Sequence, residues 1–447
     1  ASPTARDHLD TTGRAEGRSE GWIVTRASEI DSCPMARDEF ITRTTRPPFF
    51  VVAICASLTL AAVYNSGLPM PPRAVTEAMI VLLPLVGLVI SHQRVGGRRF
   101  PSVAIVISAS LLIVVALAAI LNGSAGTSML VLLAPALLAL SFATTGGLLA
   151  EDDLRTVARW IVILGVCQAV LAFAEAQLLA TWAQNIAATN GELYRYRPNL
   201  VLDGIGRASG TMGHPILLGL ICAIAAILTL NRDVVRSRPI GWALFIALAY
   251  GVVLSGSRSS VAALIVGTLV YFLHPKTKTR RSLRILIVLA LIPTMVIYIS
   301  EAIAGARSVS IYSLNNRLDA LPRFLETLNR PIENVFLGEG ENFSLNTVAD
   351  NQFLTTIGVY GLIGFLILVS GIIFALFSRR PTVTATVMVL AFMALSFDVL
   401  EWGFSSVMFW LLVGLSHGGK LTGRTIEENE SVSISRGDGT ISLAHRT

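Results

Sequence analysis

Two arginines stand in short segments that are rich in glycine and hydroxyl-bearing residues. Arg207 lies in GRASGTMGH (206–214), and Arg258 lies in SGSRSS (255–260). Small residues let a ligand approach the backbone, and the forked guanidinium suits phosphate oxygens. Each arginine is predicted to lie just before a helix start, where free N–H groups favour an anion. The pair therefore predicts a phosphate cradle, although a single long arginine can instead snorkel to a membrane interface.

Two further residues are candidates for proton transfer or for orienting a hydroxyl group. His214 and Asp350 are predicted to stand at helix ends on the same side as the two arginines. General acid–base work needs such a group within reach of the reacting oxygen. Asp350 is equally suited to cap the helix that follows it. No D-x-D cluster is present on that side, so we predict metal independence, and no cofactor is expected.

The composition indicates which elements must position these residues. Hydrophobic residues make up 53% of the chain and charged residues only 14%, whereas soluble domains carry roughly a quarter charged residues. A lipid-facing backbone must satisfy its own hydrogen bonds, so apolar runs of spanning length must be helices. The sequence predicts an all-α, polytopic membrane protein with about twelve transmembrane helices. The predicted spans are 49–65, 75–91, 102–121, 128–149, 156–180, 215–231, 239–254, 260–273, 282–304, 352–377, 382–398 and 403–417.

Basic residues fall in alternate loops and so predict the orientation. The net charge of +6 is not gathered into a nucleic-acid patch, and no nucleic-acid partner is expected. The basic loops contain Arg94, Arg98 and Arg99; Arg155 and Arg159; Arg232, Arg236 and Arg238; Lys276, Lys278, Arg280, Arg281 and Arg284; Arg379 and Arg380; and Lys420 and Arg424. These loops are predicted to be cytoplasmic. An even number of helices then leaves both termini on the cytoplasmic side of the plasma membrane. The predicted domains are a disordered cytoplasmic tail (1–46), a transmembrane domain (47–418) and a second disordered tail (419–447).

Two predicted outer loops, 181–214 and 305–350, are long, and long loops are usually functional. Within the second, the apolar side chains of 315–328 recur with helical spacing, while Arg317 falls elsewhere. This pattern predicts an amphipathic helix on the membrane surface or on the other helices. A plain capping helix without a catalytic role is the alternative.

An arginine pair on the outer face suits the diphosphate of a polyprenyl-linked sugar donor. In glycosyl transfer from such a donor the diphosphate leaves, and charge builds on its bridging oxygen. Preorganised arginines stabilise that charge without a metal. The sequence therefore predicts a membrane glycosyltransferase whose partners are a lipid-linked glycan and the membrane lipid.

Four motifs carry a resemblance to a known family. RASGTMGHPILLG (207–219) resembles the pattern R-x-x-G-T-F-G-N-P-N-x-L-G, and SGSRSS (255–260) resembles S-x-S-R-[SG]. LGEG (337–340) contains G-x-G, and DNQFL (350–354) is similar to [HD]-N-x-[YF]-L, with Gly358, Gly361 and Gly364 after it. In this order they resemble the bacterial O-antigen ligase and polymerase family, over residues 50–415.

The resemblance implies a GT-C-like glycosyltransferase fold, an undecaprenyl-diphosphate-linked glycan donor, inversion at the anomeric carbon and no metal. It implies that Arg207 and Arg258 bind the diphosphate and that Arg317 assists from the large outer loop. Asp350 stands where ligases usually carry a catalytic histidine, which favours a polymerase of capsule, exopolysaccharide or O-antigen units. His214 stands where asparagine is usual. Whether a chain-length regulator takes part stays open.

Two other classes of protein compete with this interpretation. Twelve helices with both termini inside is also the plan of major facilitator transporters, and Asp398 and Glu401 at a predicted outer turn would fit a proton relay. However, the two halves of the chain are not similar, and G-x-x-x-D-R-x-G-R-R is absent. A transporter or flippase of lipid-linked sugars is therefore the alternative, and a non-catalytic assembly scaffold is the third.

Overall fold

The computed structural model describes residues 49–66, 68, 71–90, 102–121, 127–186, 199, 201–202, 204–277, 331–340 and 351–416. All of them belong to the unit Pro47–Thr447. The predicted tails, 1–46 and 419–447, lie outside the described residues, as do the predicted span 282–304 and the predicted amphipathic helix.

Within the described ranges the chain is all-helical and forms no β-strand. The α-helices are α1 (Phe49–Val63), α2 (Arg73–Ile90), α3 (Ser102–Leu121), α4 (Thr127–Leu148), α5 (Glu151–Ala176), α6 (Thr181–Ile186), α7 (Pro215–Thr229), α8 (Arg238–Leu254), α9 (Arg258–Leu273), α10 (Ile332–Leu337), α11 (Gln352–Leu376), α12 (Pro381–Ala394) and α13 (Gly403–Leu415), with a 3-10 turn at Val399–Glu401. The predicted all-α class is confirmed for this part of the chain. Every predicted span except 282–304 coincides with a described helix to within about five residues.

The largest difference in bounds concerns α5, which begins at Glu151 rather than at 156. Its first turn carries Glu151, Asp152 and Asp153, whose charges suit the positive end of the helix dipole. Asp153 also accepts a hydrogen bond from the backbone N–H of Ala150 at 3.2 Å. Arg155, which lies outside the predicted span, is therefore helical.

The described helices are apolar enough to indicate a membrane protein. Three of them, at Val103–Leu121, Glu151–Ala176 and Gln352–Leu376, are long and apolar enough to cross a membrane. Eight further apolar helices accompany them in the described part of the chain.

Helix α7 lies at the centre of the packing that positions the candidate site. All of its residues except Ile216 are buried, as expected for a helix that is apolar all round. It packs against α5, α8, α9 and α12. Small residues allow the close approach: a β-carbon on Gly251 of α8 would lie 2.9 Å from that of Ala169 in α5 and 3.0 Å from Sγ of Cys222 in α7.

Helices α7 and α9 run parallel, so their N-termini share one end of the bundle. Near their starts, Oγ of Ser260 donates to the carbonyl of Ile216 at 3.3 Å. Near their ends, the hydroxyl of Tyr271 donates to the carbonyl of Leu230 at 2.9 Å. We call the end at which α7 and α9 begin the Arg207 end. At the opposite end, segments 151–161, 228–242, 271–277 and 379–386 line one cavity, and we call it the basic end.

Candidate functional site

Arg207 lies against the turn between α8 and α9 that leads into Arg258. Its Nε donates to the carbonyl of Ser255 at 3.2 Å, and the neighbouring N–H of Ala208 donates to Leu254 at 3.1 Å. Gly256 has a φ of +61°, and a β-carbon there would lie 2.9 Å from Cγ of Arg207. The structure thus brings together the two arginine segments predicted to form a phosphate cradle, and both arginines are half-buried.

The helix starts differ in detail from the prediction. Arg258 is the first residue of α9, and Ser257 is its N-cap, with its Oγ accepting from the N–H of Ser260 at 3.3 Å. Arg207 does not directly precede a helix, because the residues 208–214 separate it from α7. It is instead the contact with the Ser255–Arg258 turn that places Arg207 beside a helix N-terminus, that of α9.

A glycine in the first arginine motif makes room for serines of the second. A β-carbon on Gly219 in α7 would lie 2.8 Å from Oγ of Ser255 and would also collide with Ser260. Ser255 and Ser260 are fully buried, and Ser260 Oγ bonds to Ser257 Oγ at 2.9 Å. Only glycine allows α7 to approach this turn so closely. The last residue of the 207–219 motif therefore holds the 255–260 motif in place.

A buried carboxylate that the sequence analysis missed holds the loop 208–213 in place. Glu175, in the last turn of α5, is 2% exposed. Its Oε2 accepts hydrogen bonds from the backbone N–H groups of Gly210 at 3.0 Å and Ser209 at 3.2 Å. A carboxylate at a helix C-terminus opposes the helix dipole. These charge-assisted bonds to the loop offset that cost.

Further hydrogen bonds fix the rest of the same loop. Gln168, about two helical turns before Glu175 on α5, accepts from the N–H of Thr211 at 3.1 Å. The hydroxyl of Thr211 donates to the carbonyl of Ala62 in α1 at 2.6 Å, and Asn65 donates to the carbonyl of Met212 at 3.3 Å. Thr211 and Met212 are buried. The loop is thus a rigid part of the bundle and keeps Arg207 in register with the turn.

His214 is the N-cap of α7. Its Nδ1 accepts a hydrogen bond from the N–H of Ile216 at 3.1 Å, so in the neutral ring the proton is on Nε2. The ring packs against Phe397 and Trp402, with centroids at 5.0 Å and 5.8 Å. In this geometry Nδ1 of His214 serves the cap and is not available as a base.

The segment 397–402 connects His214 with the start of α11. Asp398 accepts from the hydroxyl of Thr355 at 2.7 Å, and Gln352 accepts from the N–H of Leu400 at 2.6 Å. Asn351 is the N-cap of α11, accepting from the N–H groups of Phe353 and Leu354. The capping role open for Asp350 is thus filled by Asn351, whereas Asp350 itself lies outside the described residues. Asp398 is half-buried.

The LGEG segment (337–340) contacts the glycine-spaced part of α11 at a break in that helix. Gly361 has φ +67° and ψ −173° inside the helix, which frees carbonyls that would otherwise be paired. The N–H groups of Glu339 and Gly340 donate to the carbonyls of Gly358 at 2.9 Å and Val359 at 3.1 Å. Gly338 has φ +79°, and a β-carbon there would lie 2.6 Å from the nitrogen of Gly361. Both glycines are required for the two backbones to touch.

The predicted site residues therefore divide into two groups. Arg207 and Arg258 stand in contacting segments, and His214 lies at the same end of the bundle. Asp350 and Arg317 lie outside the described residues, so their roles stay predictions. Glu175 had a signal in the sequence, since an ionisable residue within a predicted span is itself a functional indication.

No group of three or more His, Cys, Asp or Glu side chains that could hold a metal ion occurs in the described ranges. The prediction of a metal-independent reaction stays a prediction. Comparison with protein-family models, with curated proteins and with solved structures finds no match. The resemblance to the O-antigen ligase and polymerase family is carried by the four motifs alone.

Proposed function

We propose that the chain is a membrane glycosyltransferase that transfers or polymerises undecaprenyl-diphosphate-linked glycan units on the outer face of the bacterial plasma membrane. The observation that carries this proposal is the contact between Arg207 and the Ser255–Arg258 turn. The sequence motifs assign one arginine to each segment, and the segments lie against each other through the bond from Arg207 Nε to the Ser255 carbonyl.

The arginines act on the leaving group. The acceptor hydroxyl attacks the anomeric carbon of the lipid-linked sugar from the face opposite the diphosphate. The bond between that carbon and the diphosphate oxygen breaks, and the configuration inverts. Charge develops on the departing oxygen, where fixed guanidinium donors and the N-terminus of α9 stabilise it. Because the Ser255 carbonyl already holds Arg207, little reorganisation of that group accompanies the reaction.

Asp350 and His214 serve the acceptor side. We assign to Asp350 the acceptance of the hydroxyl proton, since it directly precedes the cap of α11 in the sequence. His214 orients a sugar oxygen by donating from Nε2, because its Nδ1 already accepts from Ile216. Arg317 contributes from the large outer loop.

The proposal includes the membrane arrangement. About twelve helices cross the plasma membrane in a GT-C-like fold, with both termini in the cytoplasm. In support, the arginine-bearing segments at 151–161, 228–242 and 379–386 share one cavity at the basic end. The Arg207 end is then the outer face.

The test uses purified protein, a polyprenyl-diphosphate oligosaccharide and EDTA, with released polyprenyl diphosphate and longer oligomers as readouts. Arg207→Ala and Arg258→Ala should each lower release by about a hundredfold or more, as expected for the loss of an oxyanion donor. Arg236→Ala removes an exposed arginine at the basic end and should leave the rate unchanged. If both site variants stay as active as the unaltered protein, the proposed function is wrong.

The same assay separates the remaining alternatives. Longer oligomers without a second acceptor indicate a polymerase, and products only with an added lipid or protein acceptor indicate a ligase. A flippase or transporter would move the donor across proteoliposomes without releasing polyprenyl diphosphate. Adding a chain-length regulator to the same mixture tests whether such a partner changes product length.

A further inference from the structure

The basic end of the bundle holds a cavity that the proposed reaction does not use. Its volume is about 850 Å³, enough for a lipid headgroup with part of an acyl chain. It lies between the starts of α5, α8 and α12 and the ends of α7 and α9. Arg207 and Arg258 stand at the opposite end of these helices.

The cavity is strongly basic. Its charged lining residues are six cations against two anions, which gives a net charge of +4. These residues are Arg155, Arg232, Arg238, Lys276, Arg379 and Arg380, with Glu151 and Asp233. Arg155 and Arg380 are half-buried, whereas the other cations are exposed. The exposed charges form a rim, and the two half-buried arginines stand further in.

Both half-buried arginines have a buried N–H donor with no acceptor in the described part of the chain. These donors are Nε of Arg155 and Nη1 of Arg380. Arg155 pairs with Asp152 through Nη1 at 2.9 Å, which leaves its Nε unused. Burial lowers the pKa of Arg380, and the charge of Glu151 raises it in opposition. Because a guanidinium stays charged even so, its remaining N–H donors suit an anion that brings several acceptor oxygens.

The remaining wall of the cavity is apolar. Ile161, Leu228, Trp242 and Phe272 contribute to it, together with residues of α13 such as Leu412. Trp242 and Phe272 stack with ring centroids 6.3 Å apart. A basic rim above an apolar wall fits a molecule that has a phosphate at one end and hydrocarbon at the other.

We infer that this cavity binds a phosphate-bearing anion, with the guanidinium groups of Arg155 and Arg380 donating to its oxygens. The apolar wall favours the headgroup of an anionic phospholipid over free phosphate. Basic pockets between membrane helices bind such headgroups through the same chemistry. This inference does not rest on the proposed glycosyl transfer.

The experiment measures native mass spectra and melting curves of the purified full chain. The probes are phosphatidylglycerol, phosphatidylcholine with the same acyl chains, and inorganic phosphate. We expect phosphatidylglycerol to bind and to raise the Tm more than the other two. Arg380→Gln and Arg155→Gln should each bind it about tenfold more weakly. Arg236→Gln, which removes a charge from the same end outside the cavity, should bind it like the unaltered chain.

The outcomes are distinguishable. Stabilisation by inorganic phosphate alone, lost in the same two variants, keeps the phosphate site and assigns it to a soluble ligand. Equal effects of phosphatidylglycerol and phosphatidylcholine, or unchanged binding in both variants, overturn the inference. Arg380→Lys keeps the charge but not the fork, so it provides a folded variant with intermediate affinity should Arg380→Gln fail to fold.

Discussion

The Nε of Arg207 donates a hydrogen bond to the carbonyl oxygen of Ser255 at 3.2 Å. This bond joins two segments separated by nearly fifty positions in the sequence, and it fixes the guanidinium beside the start of α9. Guanidinium groups on mobile side chains lose conformational entropy when they bind an anion, whereas a held one has already lost it. The backbone of the turn thus contributes to the site in two ways. The carbonyl of Ser255 holds Arg207, and the N–H groups at the start of α9 favour an anion.

Gly256→Ala should damage this contact. The new β-carbon would lie 2.9 Å from Cγ of Arg207, in a residue whose φ is +61°. We expect release of polyprenyl diphosphate to fall by roughly tenfold or more, because a small displacement of a catalytic group has a large effect on rate. The measurement is the release assay at equal amounts of folded protein.

Gly204→Ala is the matched control for that substitution. Gly204 also has a positive φ, +80°, but no described atom lies within 4 Å of the added carbon. Both variants carry the same kind of backbone strain, of about 1–2 kcal/mol. Equal rates of release in Gly256→Ala and Gly204→Ala would mean that the position of Arg207 does not determine the rate.

Glu175→Gln should loosen the loop that carries Arg207. The amide loses the charge that strengthens the hydrogen bonds from Ser209 and Gly210, and we expect a loss of about 1.5–3 kcal/mol of stability. The Tm in detergent reports this loss. Glu77→Gln is the control, since Glu77 is half-buried and accepts from the hydroxyl of Tyr64 at 3.0 Å. An equal drop in both variants would argue against a special role for Glu175.

Much of the helical frame could be predicted from the sequence. Helix α3 has the predicted bounds, 102–121, because an apolar run of membrane length has no alternative way to pair its backbone. The contact between Arg207 and the turn at Ser255 was also foreseeable in outline, since both segments were predicted to bind the same anion. For α3, prediction works because local composition alone decides the outcome.

Other features depend on contacts that no local pattern encodes. The break at Gly361 exists because the backbone of Glu339 and Gly340 supplies donors to freed carbonyls, and a glycine in a helix does not by itself indicate such a partner. Likewise, the sequence marks Glu175 as an acid in an apolar run. It does not show that the loop N–H groups of Ser209 and Gly210 donate hydrogen bonds to it.

Gly361→Ala should destabilise the protein by about 1–3 kcal/mol, because the position requires a left-handed backbone. The added carbon would lie 2.5 Å from the nitrogen of Leu337 and would push α10 away from α11. Gly371→Ala, in the same helix, meets only ordinary contacts of 3.6–3.8 Å. It should stabilise by about 0.5–1 kcal/mol, since alanine is the better helix former. Opposite shifts in Tm are therefore expected, and shifts of the same sign would contradict the helix break.

The last prediction separates the capping role of His214 from its proposed role on the substrate. Asparagine is a good N-cap, so His214→Asn should keep the start of α7 and melt near the unaltered protein. It lacks the Nε2–H donor and the ring that packs on Phe397 at 5.0 Å. Release of polyprenyl diphosphate should therefore fall by about tenfold, as expected when one hydrogen bond to the substrate is lost.

His214→Ala completes this comparison, because alanine removes the cap and the donor together. It should lower stability by about 1 kcal/mol and should slow release at least as much as His214→Asn. Since the family signature carries asparagine at this position, full activity of His214→Asn is the informative contrary result. In that case His214 is a cap alone, and the orientation of the acceptor belongs to Asp350 and the large outer loop.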